Sequence, residues 1–486
     1  MSTENRGRMD TATPALAVEN LSVFHGETAL VRGMSFAIPA GGVLTLLGES
    51  GSGKSLLAQA VMGNLPVPLR CTGTVDIGGE RSDAGDGRRR HAGWGRRVAL
   101  LPQEPWLALD PTMKVGRQVA ETYELVARPA ASRQDDTLRA ASARALAARA
   151  LAGLGLQDAA DKYPFMISGG MAQRVAFLAT HAAGAPLMIV DEPTKGLDAD
   201  RRGDVLALLL AARDEGLSLL CITHDIWLAR ALGGQLAVML DGAMIEHGDA
   251  AQVLAAPRHA YTQRLLAADP ASWPRNAPGA ASPTGRTIAA VDGVGKAFGR
   301  QRLFAGVSAR IGAGEIVAVS GPSGSGKTTF GNIVLGLLKP DSGQVSHGAG
   351  LAPTAFQKIY QDPAAAFAPR ASLRRSLQDM VRLHRLDWGV LEDLLARMRL
   401  ATALLDRLPG QVSGGELQRI ALARVLLMKP ALIFADEPTS RLDPVTQQEV
   451  MGLLAAHART NGCAVLLVTH DAAIVQAMAG REIRLA

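Results

Sequence analysis

The chain has 486 residues, 48% of them hydrophobic and 20% charged, a composition that suits two or three globular domains with proper cores. Its formal net charge of +6 is mild for this length and argues neither for nucleic acid nor for an anionic lipid surface as a partner. The three cysteines, Cys71, Cys221 and Cys463, are scattered without CxxC or metal spacing, so no disulfide framework is expected and a reducing compartment fits.

Residues 1–15 are polar with no apolar stretch, which predicts a disordered tail rather than a signal peptide. No uncharged apolar run approaches the roughly 18 residues of a spanning helix. The expectation is a soluble, cytoplasmic protein that meets a membrane only through a partner.

The first strong element is VLTLL (43–47), a short, largely apolar run that predicts a buried parallel strand. It runs into GESGSGKS (48–55) and then LLAQAVMGNL, which has helical apolar spacing. Strand, glycine-rich loop and helix is the context in which G-x-x-x-x-G-K-[ST] cradles phosphate. Gly48, Gly51 and Gly53 let the backbone turn its N–H groups toward the anion, and the helix presents its positive end. Lys54 is placed to reach the β- and γ-phosphates of a nucleotide, and Ser55 to hold Mg²⁺.

Further along, GRRRHAGWGRR (87–97) reads as a solvated basic surface, and ALAARALAGLGL (145–156) as a packed helix. ISGGM (167–171) opens the helical pattern MAQRVAFLAT. The hydroxyl of Ser168, the bare amides of Gly169 and Gly170 and a helix N-terminus together make a second anion site. LMIVDEPTKGLD, an apolar strand closing on Asp-Glu, ends at Asp198, and ITHD follows it. Residues 267–286 are rich in Pro, Ala, Gly and Ser and read as a linker between 16–266 and 287–486.

Beyond the linker the order repeats. GPSGSGKT (321–328) supplies Gly321, Gly324, Gly326, Lys327 and Thr328; VSGGE (412–416) supplies Ser413, Gly414 and Gly415; LIFADEPTSRLD ends at Asp443, and VTHD follows. Ser168 precedes Glu192 by 24 positions, as Ser413 precedes Glu437; His224 lies 32 positions after Glu192 and His470 lies 33 after Glu437. The lysine-to-glutamate distance differs, 138 against 110, and the excess falls between phosphate loop and SGG, where surface insertions belong. The chain is a duplicated nucleotide-binding domain.

These motifs in this order resemble the ATP-binding subunits of ABC transporters, over about 16–266 and 287–486. The resemblance implies an α/β fold of two tandem P-loop NTPase (RecA-like) ABC domains, each with an antiparallel β portion and a helical subdomain carrying SGG. It implies ATP and Mg²⁺ as ligands. Asp191 and Asp436 would hold Mg²⁺ with Ser55 and Thr328; Glu192 and Glu437 would polarise the attacking water; His224 and His470 would contact the γ-phosphate. Gln103 in LPQEPW and Gln361 in IYQDP match the Q-loop, reaching Mg²⁺ and water and sensing the membrane partner. Phe24 and Phe298 would stack on adenine, and Asp198 and Asp443 belong to the same nucleotide sites. In this family each SGG closes over the ATP of the opposite half. One ATP would then lie between Lys54 and Ser413 and the other between Lys327 and Ser168, an intramolecular head-to-tail pairing.

YPFMISGGMAQRVA and PRHAYTQRLLAADP are similar to segments of the dipeptide, oligopeptide and nickel importer ATPases, with Phe165 where histidine or glutamine is more usual. SGGELQRIALAR is similar to their partner subunit. The expected function is therefore an ATPase that couples hydrolysis to uptake of peptides, nickel or metal chelates. It would sit peripherally on the cytoplasmic face of the inner membrane, with two integral-membrane permeases, an extracytoplasmic binding protein and no nucleic acid. Two rivals stay open: the tandem ATPase of a monosaccharide importer, and a soluble twin-ATPase translation factor acting on ribosomes.

Overall fold

The computed structural model describes residues 13–103, 108–126, 136–195, 197, 199–275, 285–299, 301–322, 324–440 and 442–485. The chain divides into two compact units, Met1–Leu266 and Ala267–Ala486.

The first unit contains β1 (Leu16–His25), β2 (Thr28–Ile38), β3 (Val43–Gly48), β4 (Leu69–Ile77), β5 (Glu80–Asp83), β6 (Val98–Leu101), β7 (Leu187–Asp191), β8 (Ser218–Thr223), β9 (Gln235–Leu240) and β10 (Ala243–Asp249). They form an antiparallel sheet in the order β2-β1-β4-β5 and a core sheet in the order β10-β9-β3-β8-β7-β6. The core sheet is parallel from β9 to β6, with β10 antiparallel at its edge. Burial follows from this. Every residue of β3 and β8 is buried, as a parallel strand covered on both faces requires, whereas β1 alternates between buried and exposed positions.

Two apolar layers flank the core sheet. On one face Leu21, Val31, Leu46, Leu57 and Leu220 join it to the antiparallel sheet and to the helix Lys54–Met62. On the other, Val119, Leu151, Val175, Leu209 and Leu219 join it to the helices Val115–Val126, Asp136–Gly153, Gly169–His181 and Ala199–Asp214. The expected helix within 145–156 thus forms and buries Ala147 and Leu151. The basic run 87–97 is not wholly solvated. Arg90 is only 6% exposed, and its guanidinium donates to Ser82 Oγ and to the carbonyls of Ala60, Asp83 and Ala84. The short helix Gly87–His91 turns this one arginine inward, where four acceptors replace its hydration.

The second unit repeats the plan with β11 (Thr287–Phe298), β12 (Gln301–Gly312), β13 (Ile316–Ser320), β14 (Ser342–His347), β15 (Phe356–Ile359), β16 (Leu432–Asp436), β17 (Ala464–Val468) and β18 (Arg481–Arg484). The antiparallel sheet has the order β12-β11-β14, and the parallel core sheet the order β15-β16-β17-β13-β18. All five residues of β16 and of β17 are buried. The helices Leu373–His384, Trp388–Arg397, Gly414–Leu427 and Pro444–Asn461 cover one face, and Trp273 packs onto this same layer.

Candidate active sites

Parallel pairing brings the chemistry to one edge. In the first unit Leu47 of β3 pairs with Thr223 of β8, and Asp191 of β7 with Ile222 of β8. The glycine loop, the Asp191–Glu192 pair and His224 therefore leave adjacent strands at their carboxyl ends, and Gln103 follows β6 at the same edge. This is where open α/β sheets bind ligands. The second unit places Lys327, Asp436–Glu437, His470 and Gln361 equivalently through β13, β16, β17 and β15.

The loops have the backbone that a phosphate cradle needs. Gly51 and Gly53 have φ of +87° and +96°, and Gly324 and Gly326 have +84° and +90°, conformations that turn successive N–H groups inward. A side chain at Gly48 would meet Met239 O at 2.3 Å, and one at Gly321 would meet Leu485 O at 2.7 Å. Lys54 and Lys327 open their helices and are nearly buried. Lys54 Nζ donates to Gly48 O at 2.8 Å and Glu49 O at 2.7 Å; Lys327 Nζ donates to Gly321 O at 2.8 Å and Pro322 O at 3.0 Å.

A divalent cation fits beside each loop. Burial pushes the Asp191 carboxyl up from its usual range, opposed by a hydrogen bond with Ser55, and one of its oxygens is buried without a partner. Asp436 is likewise raised by burial and hydrogen-bonded with Thr328. A carboxylate and a hydroxyl side by side form a hard oxygen donor set of the kind Mg²⁺ takes.

The two glutamates share a backbone but not an environment. Both have φ of +50°, and their N–H groups bond to Ile222 O and Val468 O respectively. Glu192 receives His224 Nδ1 at 2.8 Å and Thr223 Oγ1 at 3.3 Å. Burial raises the Glu192 carboxyl, but the charge and hydrogen bond of His224, with Lys54 and Lys195 behind them, outweigh it and hold the group below its usual range. Burial correspondingly lowers His224, and Glu192 more than restores it. In the second unit His470 Nε2 lies 3.4 Å from Glu437 Oε1, an oxygen that has no aligned hydrogen bond. There burial, reinforced by the Asp436 charge, pushes Glu437 up to about 8.

The SGG serines cap their helices. Ser168 accepts from Met171 N at 3.3 Å and Ser413 from Glu416 N at 3.3 Å; both serines are exposed. Glu416 completes a capping box by accepting from Ser413 N and Oγ, which Met171 cannot do. Gly169 and Gly170, and Gly414 and Gly415, form the first turns behind these caps. Asp443 caps the helix Pro444–Asn461 by accepting from Thr446 N at 3.0 Å, whereas Asp198 lies outside the described residues. Phe298 is 56% exposed; Phe24 is half-buried with the Arg70 guanidinium 5.0 Å from its ring centre.

Three contributors escaped the sequence reading. Arg202 donates to both oxygens of Asp225, next to His224, at 2.8 and 2.7 Å. Lys358 on β15 bonds to Asn332 Oδ1 at 2.9 Å and stands 3.8 Å from Asp436 Oδ2. Gln173 reaches from the SGG helix to Pro193 O at 2.5 Å. Only Lys358 left a trace in the sequence, as a lone charge in the strand FQKI.

Comparison with known proteins agrees with this geometry. A family model described as ABC transporter matches residues 31–195 and 304–440. The chain is 31% identical to an uncharacterized ABC transporter ATP-binding protein, YejF, of Escherichia coli, over 95% of this chain and 92% of the relative. It is 33% identical to the peptidoglycan transport ATP-binding protein YejF of Agrobacterium fabrum, over 96% and 90%. It is 31% identical to the glutathione import ATP-binding protein GsiA of Salmonella typhi, over 96% and 84%. Among solved structures, an archaeal ribosome recycling factor in complex with a ribosomal stalk protein superposes with a TM-score of 0.63. It covers 92% of this chain and 83% of its own at 21% identity, a likeness of fold.

Proposed function

The chain belongs to the ABC transporter family of ATP-binding proteins, and from that premise we propose that it hydrolyses ATP to drive uptake of peptide-like cargo through separate membrane permeases. The observation that carries the reading is the convergence in each unit of a loop lysine, an Asp–Glu pair and a histidine at the carboxyl edge of a parallel sheet. Relatives named for peptidoglycan transport and glutathione import favour peptides over nickel or metal chelates.

The residues divide the work. Lys54 and Lys327 exchange the carbonyls they now hold for phosphate oxygens, which compensate the lysine charge better. Ser55 with Asp191, and Thr328 with Asp436, would hold Mg²⁺, which when bound would neutralise charge growing on the phosphates. Glu192 and Glu437 orient the attacking water and accept its proton, and Oε1 of Glu437 has no aligned hydrogen bond of its own. His224 steadies Glu192 from a hydrogen bond, and His470 stands beside Glu437. Gln103 and Gln361, at the same edges, would link water and Mg²⁺ to the permease. The exposed Phe298 ring, with Lys296 Nζ 5.7 Å from its centre, and the half-buried Phe24 ring, with Arg70 5.0 Å away, would each offer adenine a face. Ser168 and Ser413, exposed at capped helix N-termini, would by the family resemblance close over the ATP of the opposite unit, and Asp198 and Asp443 would belong to the same nucleotide sites.

The permeases and an extracytoplasmic binding protein complete the transporter, and the chain would dock on the cytoplasmic face of the inner membrane. No helix among the described residues is long and apolar enough to cross it. The test is the double variant Glu192→Gln plus Glu437→Gln, expressed in its own host and recovered from gently solubilised membranes with ATP. Turnover should fall by about 10² or more while ATP stays bound, and two multi-spanning permeases should co-purify. Ribosomal proteins with no membrane partner would overturn the transport reading.

A further inference from the structure

Downstream of the core sheet, the first unit carries the helix Ala260–Ala267, which lies far in sequence from the phosphate loop. It is firmly seated. Glu246 of β10 accepts from Arg258 N at 2.7 Å and His259 N at 3.2 Å. Thr262 and Leu265 are fully buried, and Tyr261 is 7% exposed. The helix therefore has a fixed position, and the Tyr261 hydroxyl has a fixed destination. It accepts a hydrogen bond from the backbone N–H of Glu49, the second residue of the phosphate loop, at 3.0 Å.

The peptide groups around Glu49 are thus held on two sides. The N–H is taken by Tyr261, and the carbonyl accepts from Lys54 Nζ at 2.7 Å. Lys54 is the phosphate-binding lysine, so one residue separates the tyrosine from the charge that meets the nucleotide. A backbone N–H in a partly buried loop needs a partner, and leaving it without one costs free energy. The second unit resolves the same position differently. It carries Pro322, which has no N–H to satisfy and a ring that fixes φ, while its carbonyl still accepts from Lys327 Nζ at 3.0 Å. Where the loop residue has a donor, a tyrosine accepts from it; where no acceptor is needed, the residue is proline.

We propose that Tyr261 is a positioning residue for the first ATP site: it fixes the Glu49 peptide, and through it the loop and Lys54, so that nucleotide affinity at this site depends on the segment after β10. The second site has its loop fixed by Pro322 and does not share that dependence. The proposal rests on the reading of GESGSGKS as an ATP site, and the experiment separates the two.

The experiment uses the full chain with the second site silenced by Lys327→Ala, and titrates a fluorescent ATP analogue in the presence of Mg²⁺. Binding that disappears on adding Lys54→Ala identifies the first site; its absence in the Lys327→Ala protein would overturn the ATP-site reading itself. Tyr261→Phe keeps the packing and removes the acceptor. It should weaken binding at the first site about two- to tenfold, the range for one hydrogen bond, and raise KM with kcat little changed. In a Lys54→Ala background, where the second site is read, Tyr261→Phe should change nothing. Glu49→Pro removes the donor and copies the second loop, so adding Tyr261→Phe to it should have no further effect. Unchanged first-site affinity in Tyr261→Phe, equal weakening of both sites, or a full additional loss on top of Glu49→Pro would each overturn the inference.

Discussion

Replacing Glu192 and Glu437 by glutamine, one at a time, should move the stability of the nucleotide-free protein in opposite directions. Glutamine keeps the shape of each side chain and removes its charge. In the second unit burial and the neighbouring Asp436 push Glu437 up to about 8, against a usual 4.5. A carboxyl raised in this way costs nothing while it is protonated in both states. The cost grows as pH climbs through the unfolded value and levels off above the folded one. At about 1.4 kcal/mol per pH unit, the ceiling is about 5 kcal/mol. Glu437→Gln should therefore stabilise by about 2–5 kcal/mol near pH 8.5 and leave stability unchanged near pH 4. In the first unit the signs reverse. Glu192 is held below its usual range, so its contribution is present above the unfolded carboxylate value and lost as pH falls through the folded one. His224 is held above its usual range, so its contribution is complete below its unfolded value and lost as pH rises through the folded one. Both contributions are in force from about pH 5 to 6.5, and there Glu192→Gln should destabilise by about 1–3 kcal/mol. The assay is urea unfolding in EDTA without nucleotide, read by hydrogen exchange at the amides of β7 and β16 so that each unit reports separately. Shifts of the same sign in both units, or a Glu437→Gln gain that does not grow between about pH 5 and 8.5, would refute the reasoning.

Two other substitutions probe the second unit. Lys358→Met removes the cation 3.8 Å from the buried Asp436 and should lower stability near pH 8 by about 3 kcal/mol, with a smaller loss toward low pH, because burial raises the Asp436 carboxyl and favours its neutral form there; an unchanged urea midpoint at both pH values would show that the lysine plays no part. Gly331→Ala would drive a Cβ to 2.2 Å from the buried Phe434 ring, so thermal unfolding should register a loss of about 1–3 kcal/mol, whereas Gly452→Ala, where a Cβ meets nothing, should cost none.

Much of this protein is local, and so was legible in the sequence. A phosphate loop is a contiguous run of backbone whose glycines, lysine and flanking strand and helix all lie within about a dozen residues, so GESGSGKS and GPSGSGKT announce themselves. Strands such as β3, β8, β16 and β17 are buried on both faces and so carry no charge along their length, which marks Asp191 and Asp436 as the charged residues that end such runs. Equal spacing in the two halves then follows from duplication alone. Tertiary structure decided what equal motifs become. Asp-Glu and His recur in both halves, yet the His224 ring meets Glu192 in a 2.8 Å hydrogen bond while the His470 ring stands 3.4 Å from Glu437 Oε1 without an aligned one, and the two glutamate carboxyls move to opposite sides of the usual range. Arg90 reads as one more surface arginine until folding surrounds it with four acceptors, and Tyr261 reads as part of a distant helix until its hydroxyl receives the Glu49 N–H. The physical reason is range. Backbone turns and burial patterns are fixed by neighbours along the chain, whereas the energy of a charge or a hydrogen bond depends on angstroms and on desolvation by residues hundreds of positions away.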